Sequence, residues 1–221
     1  MRTSRLLLGI LAVGLSAGPA LTGKPAPEPS LPVIDENACP FEGCSFRKWV
    51  VSRDAELYST WEEGRKAVGK VSKGQIVSGE TGVHVTWEPD RIQVQQPIAE
   101  LQVEPGDTIL RYMYLGEGFA NIWAKGRWWK EYDCSFIVEK NHAGCLRGCA
   151  AKVVAEGRRD WWVRVRTTEG VVGWTKAEDH FDCMDSLGGD DRCEKLNSTP
   201  PAVKQGKSED SSDARRFVAP L

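Results

Sequence analysis

The chain has 221 residues, with 29 Lys+Arg against 31 Asp+Glu, a formal net charge of −2, nine Trp and seven Cys. A balance this close to neutral, with no block of Lys or Arg, excludes the clustered basic surface that nucleic-acid binding requires, so no nucleic acid is expected as a partner.

Residues 1–23, MRTSRLLLGILAVGLSAGPALTG, place Arg2 and Arg5 ahead of an apolar run, Leu6–Leu15, followed by small residues. That is the build of a signal peptide. The run is too short to span a bilayer, and no later segment approaches ~18 uninterrupted apolar residues, so the mature chain is expected to lack a transmembrane segment. The expected location is exported, periplasmic or extracellular. Loss of the leader would leave 27 Lys+Arg against 31 Asp+Glu, a net charge of −4. Residues 24–38, KPAPEPSLPVIDENA, carry four prolines and no hydrophobic periodicity and read as a linker.

Export makes disulfides the default state of the cysteines. Cys39 and Cys44 in CPFEGC enclose Pro40 and Gly43, turn residues that bring the Cα atoms within disulfide range. A redox pair would instead use C-x-x-C at a helix start, so a structural staple is the preferred reading. The segment 67–79, AVGKVSKGQIVSG, reads as two strands of a hairpin turning at Lys73-Gly74. TILRYMYLG (108–116) is rich in β-branched and aromatic residues and ends at Gly116 and Gly118. In HAGCLRGC (142–149), His142, Cys145 and Cys149 have the chemistry of zinc ligands, with Cys134 as a fourth. One ligand knuckle is missing, so a Cys145–Cys149 disulfide is preferred and no metal or other cofactor is expected. Cys134 and Cys183 occupy similar strand-end positions and are paired with each other, which leaves Cys193 as the odd thiol.

In WWVRVRTTEGVVGWTK (161–176), Val163 and Val165 alternate with Trp162, Arg164 and Arg166, and Thr168-Glu169-Gly170 turns the chain. The alternation puts Trp162 and Arg164 on the outer face, where an exposed Trp beside arginines is suited to cation–π contact with a ligand. Trp49, Trp123 and Trp174 end or interrupt apolar strands and read as core. From Asp185 to Leu221 the chain is polar and nearly free of aromatics, and reads as a disordered tail. Asn197-Ser198-Thr199 is an N-glycosylation acceptor only in a eukaryotic secretory pathway. No sustained helical period appears beyond the leader. The fold class read from these signals is all-β, as a small barrel or sandwich.

Two stretches carry a resemblance. AELYSTWEEGRKAVGKVSKGQIVS (55–78) resembles the first half of a bacterial SH3-like domain, and WWVRVRTTEGVVGWTKAEDHF (161–181) resembles its closing hairpin, with the pattern W-x-x-V-R…G-x-x-G-W. The CPFEGC…W opening is similar to that of a group of exported bacterial SH3-like proteins. Together the matches cover under half of the mature chain. The resemblance implies a barrel in two halves, 39–83 and 158–184, with 84–157 inserted as a second β unit; two sequential, incomplete barrels are the alternative. It also implies a ligand groove lined by aromatics of the first long loop, here Tyr58 and Trp61.

No nucleophile elbow, phosphate loop or zinc-protease motif is present. Glu62, Glu63 and Asp90 read as solvated loop charges. The function these signals favour is a non-catalytic binding module of the cell envelope, with a cell-wall peptide or an envelope protein as partner. The alternatives are a thiol- or metal-dependent activity at His142, Cys145 and Cys149, and a purely structural envelope role.

Overall fold

The computed structural model describes residues 26–139, 144 and 148–198. The expected signal peptide (1–23), His142, Cys145 and residues 199–221 lie outside the described residues. The chain is all-β, built of two sheets that each curl into a half-barrel.

The strands in chain order begin with β1 (Val33–Glu36), β2 (Lys48–Val51), β3 (Ala55–Tyr58), β4 (Ala67–Val71) and β5 (Ile76–Glu88). Next come β6 (Asp90–Val94), β7 (Thr108–Gly116), β8 (Phe119–Ala124), β9 (Arg127–Asp133), β10 (Ile137–Val138) and β11 (Ala151–Ala155). The chain closes with β12 (Arg158–Thr167), β13 (Val172–Lys176), β14 (Phe181–Asp182) and a short helix, α1 (Asp191–Ser198). The first sheet runs β14-β2-β5-β12-β13-β3-β4, with β1 on the distal half of β5. The second runs β10-β11-β6-β7-β8-β9. All strands of the second sheet fall between β5 and β12 in sequence.

Period-2 patterning builds the first sheet. On β12, Val163 and Val165 turn inward onto Trp49, Leu57, Val71 and Val77, and each such burial contributes about 1.5–3 kcal/mol. β12 and β13 pair antiparallel with Val163 opposite Thr175 and Arg164 opposite Trp174. The strands and turn expected over 67–79 form, but β4 pairs with β3 and β5 pairs with β2 and β12, not with each other. The Lys73-Gly74 turn is therefore a barrel corner, with the Gly74 amide donating to Val51 O at 2.7 Å. Gly79 is a contact requirement, since a Cβ there would lie 2.6 Å from the Trp49 ring.

The second sheet packs its own core of Ile92, Val94, Ile109, Ile122 and Val153. A buried ionic node ties it to the first sheet. Asp90, expected as a solvated loop charge, is 0% exposed at the start of β6. It accepts from Arg111 Nε at 2.7 Å, from Arg159 Nη1 at 2.9 Å and from the Gly157 amide at 2.6 Å. Arg111 is also gripped by both oxygens of Glu139. Thr86 on β5 adds a hydrogen bond to Tyr112 O at 2.7 Å.

The described parts of the two flanking segments, 26–38 and 185–198, carry regular structure that their composition does not imply. Within the proline-rich 24–38 stretch, β1 pairs antiparallel with β5, Ile34 opposite Val85 and Asp35 opposite His84. Cys39–Cys44 is a disulfide, as expected, with Cα atoms 5.4 Å apart. Of the segment 185–221 expected as a disordered tail, the described part, 185–198, returns to this clip: Asp185 bridges Cys44, and the Ser186 amide donates to Gly43 O at 2.6 Å. Helix α1 then caps the sheet. Asn197 accepts from the Lys48 amide at 3.0 Å and donates to Lys48 O at 3.1 Å, completing a strand edge as a neighbouring backbone would. Asn197 also donates to Cys193 O at 2.9 Å, which leaves its amide engaged rather than free for a glycan.

The expected Cys134–Cys183 bridge does not form. Cys183 pairs with Cys193, Cα atoms 5.1 Å apart, and Cys134 is the free thiol among the described residues. Cys134 follows β9 inside the second core, whereas Cys183 follows β14 on the first sheet, beside α1.

Candidate functional site

Beyond the Asp90 node, β1, β5, β12 and β13 continue the first sheet and present an outer face. Residues of matching parity, Val83, Val85 and Trp162, form a third cluster, with Tyr58, Trp61, Trp87 and Trp174 packed on it. Tyr58 reaches this face because Leu57, its neighbour on β3, is fully buried on the other. The β3–β4 connection, residues 59–66, brings Trp61 over the same surface. That loop is closed by the Ser59 amide donating to Lys66 O at 2.9 Å and turns at Gly64, whose φ of 76° suits glycine.

Two adjoining cavities open here. The larger measures 620 Å³, within the roughly 300–1,000 Å³ of ordinary ligand pockets, and lies between Trp61, Trp87 and Trp162, with Ile34 of β1 as its far wall. The smaller, 410 Å³, runs past Tyr58 and Thr175 to His180. Arg65, Trp162 and Lys176 belong to both. Trp162 is the floor, and at 4% exposure it is not the open ring that strand alternation implied. Its faces are covered instead. The Arg65 guanidinium lies 4.7 Å from the Trp162 ring centroid and 5.4 Å from that of Tyr58. The Lys176 ammonium lies 5.8 Å from the same indole.

Asp160 organises the charges. It accepts from Lys176 Nζ at 2.6 Å and from Trp87 Nε1 at 2.9 Å. Burial works against this carboxylate, but the Lys176 and Trp87 hydrogen bonds outweigh it and hold its pKa below the usual carboxylate value. Arg158 lies over Trp87, 5.2 Å from the ring centroid. Glu62 and Glu63 are exposed loop charges, as expected, and they also line the larger cavity.

Of the expected site residues, Tyr58, Trp61 and Trp162 converge here. Arg164 does not line either cavity; it pairs with Glu80 at 3.2 Å, beside Arg166. Trp49 is core, as expected, but Trp123 and Trp174 are only half-buried, and Trp174 packs on the groove cluster. Trp87, Arg65, Lys176 and Asp160 were not anticipated. Strand parity, Val83-x-Val85-x-Trp87, is the signal that carried Trp87; Arg65 had none, since a loop arginine is ordinarily solvated.

Of the alternative thiol or metal centre, His142 and Cys145 lie outside the described residues, and Cys149 is disulfide-bonded, so it is not a free thiol. Cys183 is oxidised, so it offers no nucleophile to His180. The free Cys134 is buried, and burial pushes its thiol up to about 12, far from a reactive thiolate.

No family model matches the chain, and no curated protein or solved structure does.

Proposed function

We propose that this chain is an exported, non-catalytic binding module of the SH3-like kind that recognises a cell-wall peptide or an envelope protein through the aromatic groove. The observation that carries the reading is the convergence of Tyr58, Trp61, Trp87 and Trp162 around adjoining 620 and 410 Å³ cavities on one sheet face. Aromatic-lined concavities with a few placed charges are the usual form of peptide and small-ligand sites. The disulfides fit an oxidising compartment, and no helix among the described residues is long and apolar enough to cross a membrane.

The test is co-sedimentation of protein from the exported fraction with purified cell-wall sacculi, beside Trp61→Ala and Tyr58→Ala. Both side chains are partly exposed, so truncation leaves the fold intact, whereas Trp162→Ala would empty the floor. Saturable binding that each variant weakens at least about tenfold is expected, the loss of one aromatic contact. Binding that both variants retain overturns the groove assignment, and absent binding removes the wall as partner.

A further inference from the structure

Arg65 occupies an unusual place. Its backbone is on the exposed loop 59–66, yet its guanidinium sits in the corner between Tyr58 and Trp162, whose rings are edge-on at 6.3 Å. Within its own loop it is tethered by one hydrogen bond, Nη1 to Glu62 O at 3.2 Å. Arg65 is also the mobile-length side chain shared by both cavities, since Trp162 is fixed in the floor and Lys176 is held by Asp160. Withdrawing it would uncover the indole on the Arg65 side, with Lys176 still over the ring, and join the cavities.

The charges around that corner show what could replace it. Lys176 and Asp160 satisfy each other at 2.6 Å. Outside that pair, the larger cavity carries Glu62 and Glu63 against Arg158, and the smaller carries Asp54 and Glu56. With Arg65 swung out, carboxylates outnumber cations in the opened trough, and an uncovered aromatic corner in such a field attracts a cation.

We propose that Arg65 is a built-in stand-in for the ligand: the Tyr58–Trp162 corner receives a guanidinium or ammonium carried on a partner peptide, which displaces Arg65 and opens the two cavities into one trough. The inference rests on the groove being the binding site. It names the recognised chemistry, a peptide cation, and makes Arg65 a gate that lowers affinity in the resting state, because the ligand must compete with a tethered copy of its own group. Glu62 and Glu63 on the same loop are placed to accept the displaced or incoming charge.

The experiment titrates the whole exported protein, wild type and Arg65→Ala, with acetyl-Gly-Arg-Gly-amide, its lysine counterpart and the neutral citrulline isostere. Indole N–H shifts of Trp162 and Trp61 report occupancy. Arg65→Ala is expected to bind the arginine peptide at least about tenfold more tightly than wild type, and the citrulline peptide about tenfold more weakly than the arginine one. The lysine peptide tells whether a compact ammonium suffices or the planar guanidinium is needed; binding of either cation supports the inference. Equal affinity for arginine and citrulline peptides, or no gain on removing Arg65, overturns it. Sacculus co-sedimentation in parallel separates the two claims. Wall binding lost in Trp61→Ala, without any preference for the charged peptide, leaves the groove standing and sinks the gate. Peptide-cation binding without wall binding keeps the gate and removes the wall as partner.

Discussion

Replacing Asp90 by Asn tests whether the ionic node joins the two sheets. The carboxylate is fully buried and accepts from two guanidinium groups and one amide, at 2.7, 2.9 and 2.6 Å. Asn keeps the shape but turns one acceptor into a donor aimed at donors, and it removes the charge that compensates Arg111, itself buried. Arg111 retains Glu139, so part of its compensation survives, but Arg159 loses its carboxylate partner in the node. Breaking a buried pair from one side costs about 3–5 kcal/mol, a large part of the ~5–15 kcal/mol that folded domains possess. The assay is urea unfolding at pH 7 followed by Trp fluorescence, with Glu80→Gln as control. That carboxylate pairs with half-exposed Arg164 and Arg166, and its loss is expected to cost under about 1 kcal/mol. The pH dependence supplies a second check. Burial alone would raise the Asp90 pKa, but the Gly157 amide and the two arginines outweigh it and hold it below the usual value. The folded pKa is depressed, so its contribution is fully present above the unfolded value of about 3.9 and is lost as pH falls through the folded one. The gap between wild type and Asp90→Asn must therefore narrow below about pH 4. A loss under about 1 kcal/mol at pH 7, or a gap unchanged in acid, refutes the node as a determinant of stability.

His84, opposite Asp35 on β5, is pushed down to about 4 by burial and by Arg159. Its unfolded state binds the proton first, so wild type is expected to lose up to about 3 kcal/mol as pH falls from about 6.5 to 4, and His84→Gln to lose less; a His84 ring-proton titration midpoint near 6.5 would contradict this. Asn197→Ala should unpair the Lys48 amide and carbonyl, raising hydrogen exchange at Lys48 at least about tenfold for a stability loss of about 1–2 kcal/mol; unchanged exchange there would show that α1 does not cap the edge. Alkylation without reductant should leave Cys134 unmodified in the folded protein and label it once denaturant is added. Labelling of Cys193 in that experiment would disprove its pairing with Cys183.

The strands most legible in sequence were those whose neighbours are close in sequence. TILRYMYLG is β7 residue for residue, and the Val163/Val165 alternation assigned both faces of β12 correctly. What alternation cannot report is what stands above a face. It placed Trp162 outside, but only the packing of the 59–66 loop and β13 shows Arg65 and Lys176 covering it. The cysteine pairs divide along the same line. Cys39–Cys44 closes a local turn and was readable. Cys183–Cys193 depends on a helix in a segment too polar to form a core, held by Asn197 reaching Lys48 across 149 positions of chain. Asp90 misled for a related reason, since its partners Arg111 and Arg159 come from two different sheets.

The two ends that composition marks as featureless supply the parts the groove needs. A curled sheet with an insertion between β5 and β12 leaves the far half of β5 with an open edge, and an open edge of apolar strand invites pairing with another chain. β1 occupies that edge, and in doing so it sets Pro32 and Ile34 as the outer wall of the larger cavity. Its exit is then fixed three ways: the Ala38 amide donates to Gly82 O at 3.0 Å, Trp161 Nε1 donates to Ala38 O at 3.0 Å, and Phe41 meets the Trp161 ring edge-on at 5.9 Å. The Cys39–Cys44 clip follows at once, and Asp185 and Ser186 anchor the returning C-terminal segment upon it. A short staple of this kind contributes about 2 kcal/mol through the unfolded chain. Its position matters more than that sum, because it restrains the one wall of the groove that a four-residue strand could not hold alone. The opposite wall is the 59–66 loop bearing Trp61 and Arg65, closed on itself by the Ser59 amide donating to Lys66 O at 2.9 Å and the Lys66 amide donating to Ser59 Oγ at 3.1 Å. With both walls held by backbone hydrogen bonds, only the Arg65 side chain has to leave for the trough to open, while Ile34 and Trp87 keep it in shape.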